Sequence, residues 1–153
     1  DAANGRIPEV RELLLLLRDQ RDELVRLRDR LLELRVEEAA DAAADLPIPP
    51  RAENGAGGPG VDGTDDLADD AAAEAARIRL RIQGVVDQMQ ASVARIDAWG
   101  ITLRDIDSGL IDFPALVTGR QVWLCWRLGE GDVDWWHELN VGFAGRRRLS
   151  ELE

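Results

Sequence analysis

Two long apolar stripes constrain what this chain can fold into more than any other feature of the sequence. In both stripes the positions recur at alternating spacings of three and four, which keeps them on one face of a helix. The first stripe consists of Val10, Leu13, Leu17, Gln20, Leu24, Leu27, Leu31 and Leu34. The second consists of Ala68, Ala71, Ala75, Ile78, Ile82, Val85, Met89, Ser92, Ile96 and Trp99. The spacing predicts one helix over residues 4–45 and another over residues 65–99, which Gly100 ends.

Residues 46–64 separate the two helices and are dominated by proline and glycine. This composition predicts a flexible linker, which lets the helices fold back as an antiparallel hairpin. Leu14, Leu16, Val25 and Leu32 flank the first stripe, so its apolar surface is wider than one partner helix covers. We therefore predict a homodimer that forms a four-helix bundle. The alternative is that the C-terminal part of the same chain covers the spare surface.

After Gly100 the apolar period changes to two, which indicates strands. Residues 101–106 and 109–114 each fit a short strand, and Pro114 is expected to end the second. Residues 117–120 predict a turn into a tryptophan-rich hairpin, and residues 141–153 predict an irregular tail. The predicted fold is therefore α+β: a single domain over residues 1–153, with a long antiparallel helical hairpin and an antiparallel β-meander over residues 101–140.

The predicted hairpin, residues 120–140, holds four of the five tryptophans, the only cysteine and the only histidine. Gly129 and Gly131 favour a four-residue loop, and Leu128 would then pair with Val133. The pairs that follow are Trp126 with Trp135, Leu124 with His137, and Val122 with Leu139. This register places His137 on the apolar face and Cys125 on the opposite face, because side chains alternate along a strand.

The net charge of −11 is concentrated in residues 36–74, where 11 acidic residues stand against one arginine. This distribution argues against nucleic acid as a partner, because binding it needs a concentrated basic surface. A single cysteine allows no internal disulfide and fits a reducing compartment. No apolar run approaches the ~20 residues of a membrane span. We therefore expect a cytoplasmic protein with no membrane partner.

His137 and Asp112 are the candidate ligands for a divalent metal, because Asp112 could meet His137 across the sheet. Glu138 and Cys125 are predicted to face away from His137, which argues against a His–Glu site and against a Cys–His zinc or nucleophile pair. The simpler interpretation of His137 is a core histidine that hydrogen-bonds a buried polar group. The simpler interpretation of Asp112 is an ion pair with His137 or Arg127, and that of Cys125 is a small hydrophobe.

The outward face of the hairpin is the candidate surface for a protein partner, since exposed tryptophan is enriched at interfaces. It is predicted to carry Trp123, Trp136, Glu138 and Arg127. The alternative is that the two tryptophans pack against the tail or against Phe113. No catalytic residue is assigned, because the sequence has no phosphate-binding glycine loop, no paired CxxC and no serine nucleophile motif.

Four stretches near the C-terminus carry a family resemblance: residues 109–115 (GLIDFPA), 125–130 (CWRLGE), 136–139 (WHEL) and 142–146 (GFAGR). The chain resembles the domain of unknown function 2203 family, a group of small bacterial proteins, most specifically over its last 40 or so residues. That family also has a charged, leucine-rich helical N-terminal half, which residues 4–98 match. The resemblance implies no activity, cofactor or binding residues.

Two hypotheses of function follow. The first is a non-enzymatic assembly or adaptor protein, which acts through homodimerisation and the tryptophan-bearing surface. The second is a protein that binds a metal or a small ligand in a pocket around His137 and Asp112, where the sheet meets the bundle. Which cofactor, if any, is bound stays open, and the first hypothesis makes the protein no enzyme.

Overall fold

The computed structural model describes residues 2–44 and 63–152 and has the predicted α+β architecture. Two long helices precede a five-stranded antiparallel sheet whose strand order follows the chain. The elements are α1 (Ala2–Ala44), α2 (Gly63–Ala98), β1 (Thr102–Asp105), β2 (Leu110–Val117), β3 (Arg120–Arg127), β4 (Trp135–His137) and β5 (Arg147–Arg148). The predicted linker lies outside the described residues, except that residues 63 and 64 already belong to α2. Among the described helices, none combines the length and the apolarity needed to cross a membrane.

The described chain divides into two compact units, and the first unit comprises residues 23–85. Here α1 and α2 pair as a hairpin around Leu34, Ala75 and Ile78, which are all buried. Charged pairs flank this apolar contact. Arg30 contacts Glu74 at 3.0 Å and Arg81 contacts Glu23 at 2.7 Å. The three- and four-residue stripes are thus the contact surfaces that their spacing predicts.

The second unit comprises residues 1–22 and 86–153, where the ends of both helices pack on one face of the sheet. Leu14 is fully buried here although it lies beside the predicted stripe. Leu14 is buried in one cluster with side chains of the sheet of the same chain. This burial agrees with the alternative prediction, in which the C-terminal part of the chain covers spare apolar surface of the helices. The buried core of this unit consists of Ile7, Val10, Leu14, Leu17, Ile96, Ile101, Ile111, Phe113, Trp126 and Val133.

Strand β2 continues through Pro114 to Val117, so the prediction that Pro114 ends it is wrong. Strand β1 reaches only as far as the pair Thr102–Asp112. Beyond Asp112, β2 has a neighbour only on its β3 side, where Pro114 pairs with Trp123. A proline on an edge segment removes no ladder hydrogen bond, because its missing N–H would face away from the neighbouring strand.

The pairing of β3 with β4 differs from the predicted register by one residue. The observed pairs are Trp123 with His137, Leu124 with Trp136, and Cys125 with Trp135. A shift of one residue turns every side chain of β4 to the other face of the sheet. His137 therefore lies on the face of Cys125, and the prediction that these two side chains face opposite sides is wrong.

The register shifts because the loop between β3 and β4 is longer than the four residues expected. Two of its backbone groups bond to side chains instead of across the hairpin. The Trp126 indole N–H donates to the carbonyl of Gly131 at 2.8 Å, and the N–H of Val133 donates to Asn4 Oδ1 at 2.7 Å. Val133, itself buried in the core, is thus held by α1 and does not pair with Leu128.

The C-terminal segment contains more structure than the predicted irregular tail. Short 3-10 turns occupy Phe143–Gly145 and Leu149–Glu151, and between them β5 pairs with β4. The N–H of Leu149 donates to the carbonyl of Asp134 at 2.9 Å, which ties the segment to the hairpin loop. This docking places Arg146 beside the face of the sheet that carries Cys125.

Candidate metal site

Three adjacent strands bring Asp112, Cys125 and His137 together on the sheet face that lies opposite the helices. Asp112 of β2 pairs directly with Cys125 of β3, and His137 of β4 reaches the same point diagonally. One ligand atom from each of the three lies within 4.8 Å of the others. Their exposed fractions are 2%, 0% and 3%, so these polar groups lie out of contact with bulk solvent.

The His137 ring is oriented by a backbone hydrogen bond. Its Nδ1 lies 2.8 Å from the carbonyl oxygen of Glu138, and a carbonyl can only accept, so Nδ1 carries a proton. In the neutral ring Nε2 is then a lone-pair acceptor, and it faces Asp112 Oδ2 at 3.2 Å. Two acceptors at this distance need a proton or a cation between them.

Asp112 is only partly satisfied by its protein neighbours. Arg104 Nε donates to its Oδ2 at 2.7 Å, and the Arg104 guanidinium also stacks 5.1 Å from the centre of the Trp123 ring. Oδ1 of Asp112 is buried without a hydrogen-bond partner. Buried carboxylate oxygens are nearly always partnered, so this atom is a free acceptor inside the site.

Cys125 supplies the softest of the three candidate ligands. Burial, and next the charge of Asp112, raise the pKa of its thiol to about 11. A hydrogen bond from Arg146 to the sulfur, and next the charge of its guanidinium, act in the opposite direction on this pKa. Without a bound cation the thiol therefore stays protonated at neutral pH, and a thiolate needs a further positive charge to form.

Arg146 is held at the edge of the site by aromatic rings and an acid. Its guanidinium stacks 4.2 Å from the Phe143 ring centre and 4.4 Å from that of Trp135, and Nη2 contacts Glu130 Oε1 at 2.7 Å. The side chain is 13% exposed, and Nη1 is buried without a hydrogen-bond partner. Nη1 thus has no partner at hydrogen-bond geometry, although the guanidinium lies close enough to the Cys125 sulfur to bond its thiolate form.

The sequence predicted the pair Asp112–His137, and the structure brings these two residues together. It adds Cys125, which the predicted register had turned away, and the flanking Arg104 and Arg146. The neighbouring hairpin register could have revealed Cys125, because a shift of one residue places it on the same face as His137. No sequence pattern predicted that Arg146 lies beside Cys125, because a contact between the tail and the sheet produces no periodic spacing of residues.

The four residues predicted as a partner surface do not share one face. Trp123 and Arg127 lie on the face of the site, where Trp123 is half-buried and Arg127 is exposed. Trp136 lies on the opposite face, is 3% exposed, and donates its indole N–H to the carbonyl of Arg148. Glu138 contacts Arg120 at 2.6 Å. Whether a protein partner binds any of them stays a prediction.

The comparisons with known proteins give one result, which concerns the family. A model of the family described as uncharacterized conserved protein, DUF2203, matches residues 1–149. The chain belongs to the DUF2203 family. A search of curated proteins and a search of solved structures each found no match.

The four stretches that carry the resemblance to DUF2203 converge on the site. Asp112 comes from the first stretch and Cys125 with Glu130 from the second. His137 comes from the third, and Phe143 with Arg146 from the fourth. The stretches are separated along the chain, and the fold brings them together at the site.

Proposed function

We propose that this DUF2203 protein binds a divalent transition metal such as zinc through Asp112, Cys125 and His137. The observation that carries the proposal is the 3.2 Å approach of His137 Nε2 to Asp112 Oδ2, beside a carboxylate oxygen without a partner and the sulfur of Cys125. Tetrahedral zinc with ligand bonds of about 2.0–2.1 Å separates a nitrogen and an oxygen ligand by about 3.3 Å. The spacing of these two atoms fits a shared ion.

The donor set favours zinc or a similar ion over magnesium or calcium. Those two cations prefer all-oxygen sites, whereas this triad offers one sulfur, one nitrogen and one oxygen. The neighbours also fit a metal site. His137 donates Nδ1–H to a backbone carbonyl, and Asp112 accepts from Arg104, which is how ligands are commonly oriented. The ion would supply the positive charge that the Cys125 thiolate needs.

The test is zinc or cobalt binding by the purified chain, measured by elemental analysis and by calorimetry. We expect about one ion per chain, with a sulfur-to-cobalt charge-transfer band that disappears in Cys125→Ser. Asp112→Asn and His137→Asn should abolish binding at micromolar concentration. Arg104→Gln, which removes the hydrogen bond to Asp112, should weaken it by about 10–100-fold.

Glu138→Gln is the matched control, because this neighbour of His137 points to the other face and contacts Arg120. Its metal affinity should equal that of the wild type. A wild type that takes up neither ion, or triad variants that bind as well as it does, would leave the triad as a hydrogen-bonded structural network. Circular dichroism of each variant separates a lost ligand from a lost fold.

A second candidate function, homodimeric assembly, is supported by a stripe of exposed apolar side chains on α1. Val25, Leu32 and Val36 are 48%, 46% and 69% exposed, and their spacings of seven and four place them on one helical face. A second copy of the chain is the proposed partner, because two such faces complete a four-helix arrangement. The metal site and this stripe use different residues, so the two functions are compatible.

A further inference from the structure

We infer that the metal site takes a small anion as its remaining ligand, and that Arg146 Nη1 is the donor that recognises this anion. The inference rests on the proposed metal binding. Within the described residues the cluster offers three ligand atoms, whereas zinc and cobalt in such sites take at least four. A site with three protein ligands keeps one position for a water-derived or exogenous ligand.

The charge around the triad favours a negative ligand in that position. A divalent ion is neutralised by the Asp112 carboxylate and the Cys125 thiolate. Arg104, which contacts Asp112, and Arg146, which lies beside Cys125, then add two positive charges, and Glu130 offsets one of them. One positive charge is left beside the buried ligands, although Arg104 is 41% exposed and solvent screens part of its charge.

Arg146 differs from Arg104 in having an unused donor. The Arg104 guanidinium is half exposed and shares its Nε–H with Asp112. Arg146 is fixed on its other sides by Phe143, Trp135 and Glu130, and its buried Nη1 lacks a partner. A buried donor without an acceptor is costly, and an anion on the metal would satisfy it. The ligand class is a compact oxyanion, carboxylate or similar monoanion.

The experiment uses the full chain loaded with cobalt, whose visible bands report on the metal's ligands. Azide, inorganic phosphate and neutral imidazole are titrated separately. We expect azide or phosphate to shift the bands with saturation. Arg146→Gln should weaken that anion by at least about tenfold, the usual worth of a charge-assisted hydrogen bond, while leaving imidazole unaffected. Arg147 is an exposed neighbour of Arg146 on the other face, and the control variant Arg147→Gln should bind the anion and imidazole as the wild type does.

The outcomes separate this inference from the metal proposal. If no sulfur-to-cobalt band forms, both fall. If the band forms and neither anion shifts the spectrum, or Arg146→Gln binds the anion as tightly as the wild type, only the anion inference falls. If Arg146→Gln does not bind cobalt, Arg146→Lys is measured, because lysine keeps the positive charge and loses the planar set of guanidinium donors. Anion affinity that is unchanged in Arg146→Lys would also overturn the inference.

Discussion

At the residue scale, the unusual feature of this protein is a buried polar triad in which one carboxylate oxygen has no hydrogen-bond partner. His137 uses Nδ1–H on the carbonyl of Glu138, so its other nitrogen, Nε2, is the one that faces Asp112. Arg104 satisfies one oxygen of Asp112 and leaves the other free. A structural network would be expected to pair these groups, since unpaired buried polar atoms are rare. The imbalance is what a bound cation would correct.

The thiol of Cys125 provides a test of this environment in the metal-free protein. Its pKa is raised from 9.0 to about 11, chiefly by burial and next by Asp112. The protonated thiol therefore stabilises the fold fully below about pH 9, and this contribution is lost as the pH rises through 11. We expect the urea concentration at the unfolding midpoint of the metal-free chain to decrease as the pH is raised from about 9 to about 11.

Cys125→Ser is the control for that prediction, because a serine hydroxyl does not titrate in this range. The chain is well suited to the measurement: all its basic residues other than His137 are arginine and it contains no tyrosine. Cys125 is therefore the one side chain expected to titrate between pH 9 and 11. An alkaline loss of stability that persists in Cys125→Ser would show that the thiol is not its source.

At the element scale, the pairing of β2 with β3 positions the site, and one close backbone contact lies at the end of this pairing. Gly109 precedes β2 with φ +63°, and its carbonyl accepts from the N–H of Leu128 at 3.0 Å. A Cβ at Gly109 would lie 2.6 Å from the Cβ of Leu128. Because Leu128 follows β3, this contact links the start of one strand to the end of the next, beside both Asp112 and Cys125.

Gly109→Ala is expected to destabilise the protein by about 1–3 kcal/mol, because the left-handed backbone and the close contact both oppose a side chain. Gly84→Ala, in the middle of α2 with nothing near its added Cβ, should instead stabilise it by about 0.5–1 kcal/mol. Chemical denaturation measures both. A neutral Gly109→Ala would mean that Leu128 moves aside without cost.

At the scale of the whole molecule, the exposed stripe on α1 and the acidic charge act in opposite directions on self-association. Val25, Leu32 and Val36 favour burial against a second copy. Asp29, Glu33 and Glu37 line the same shallow surface, and Arg30 pairs with Glu33 and Glu37. The groove is therefore an apolar contact flanked by partly neutralised acids, and repulsion between two copies comes from the net charge of −11 on each whole chain.

The expected outcome is a dimer in light scattering at micromolar concentration that tightens as sodium chloride rises from about 0.05 M to about 0.5 M, since salt screens the repulsion. Leu32→Glu should shift the chain to monomer without loss of helix, because Leu32 is exposed in the single chain. Leu116→Glu, at an exposed position on β2, is the control and should remain a dimer. A wild type that stays monomeric at all salt concentrations would contradict the dimer.

The sequence alone determined the helices, because their contact residues repeat locally at helical spacing. The alternation after Gly100 likewise determined the class of the sheet. Gly100 ends its helix as predicted, with φ +75° and the N–H of Ile101 bonded to the carbonyl of Ile96. Each of these signals lies within a few neighbouring residues, where local sterics and hydrogen bonding decide the conformation.

Only the tertiary structure decided the register of the hairpin and therefore the site. The N–H of Val133 bonds to Asn4, 129 residues away in sequence, and no local pattern contains that contact. The same holds for Arg146, which the tail carries to Cys125. Because one residue of register reverses a strand's faces, the long-range contacts that hold this loop and β4 separate two outcomes. In one of them Cys125 and His137 are apart, and in the other they meet Asp112.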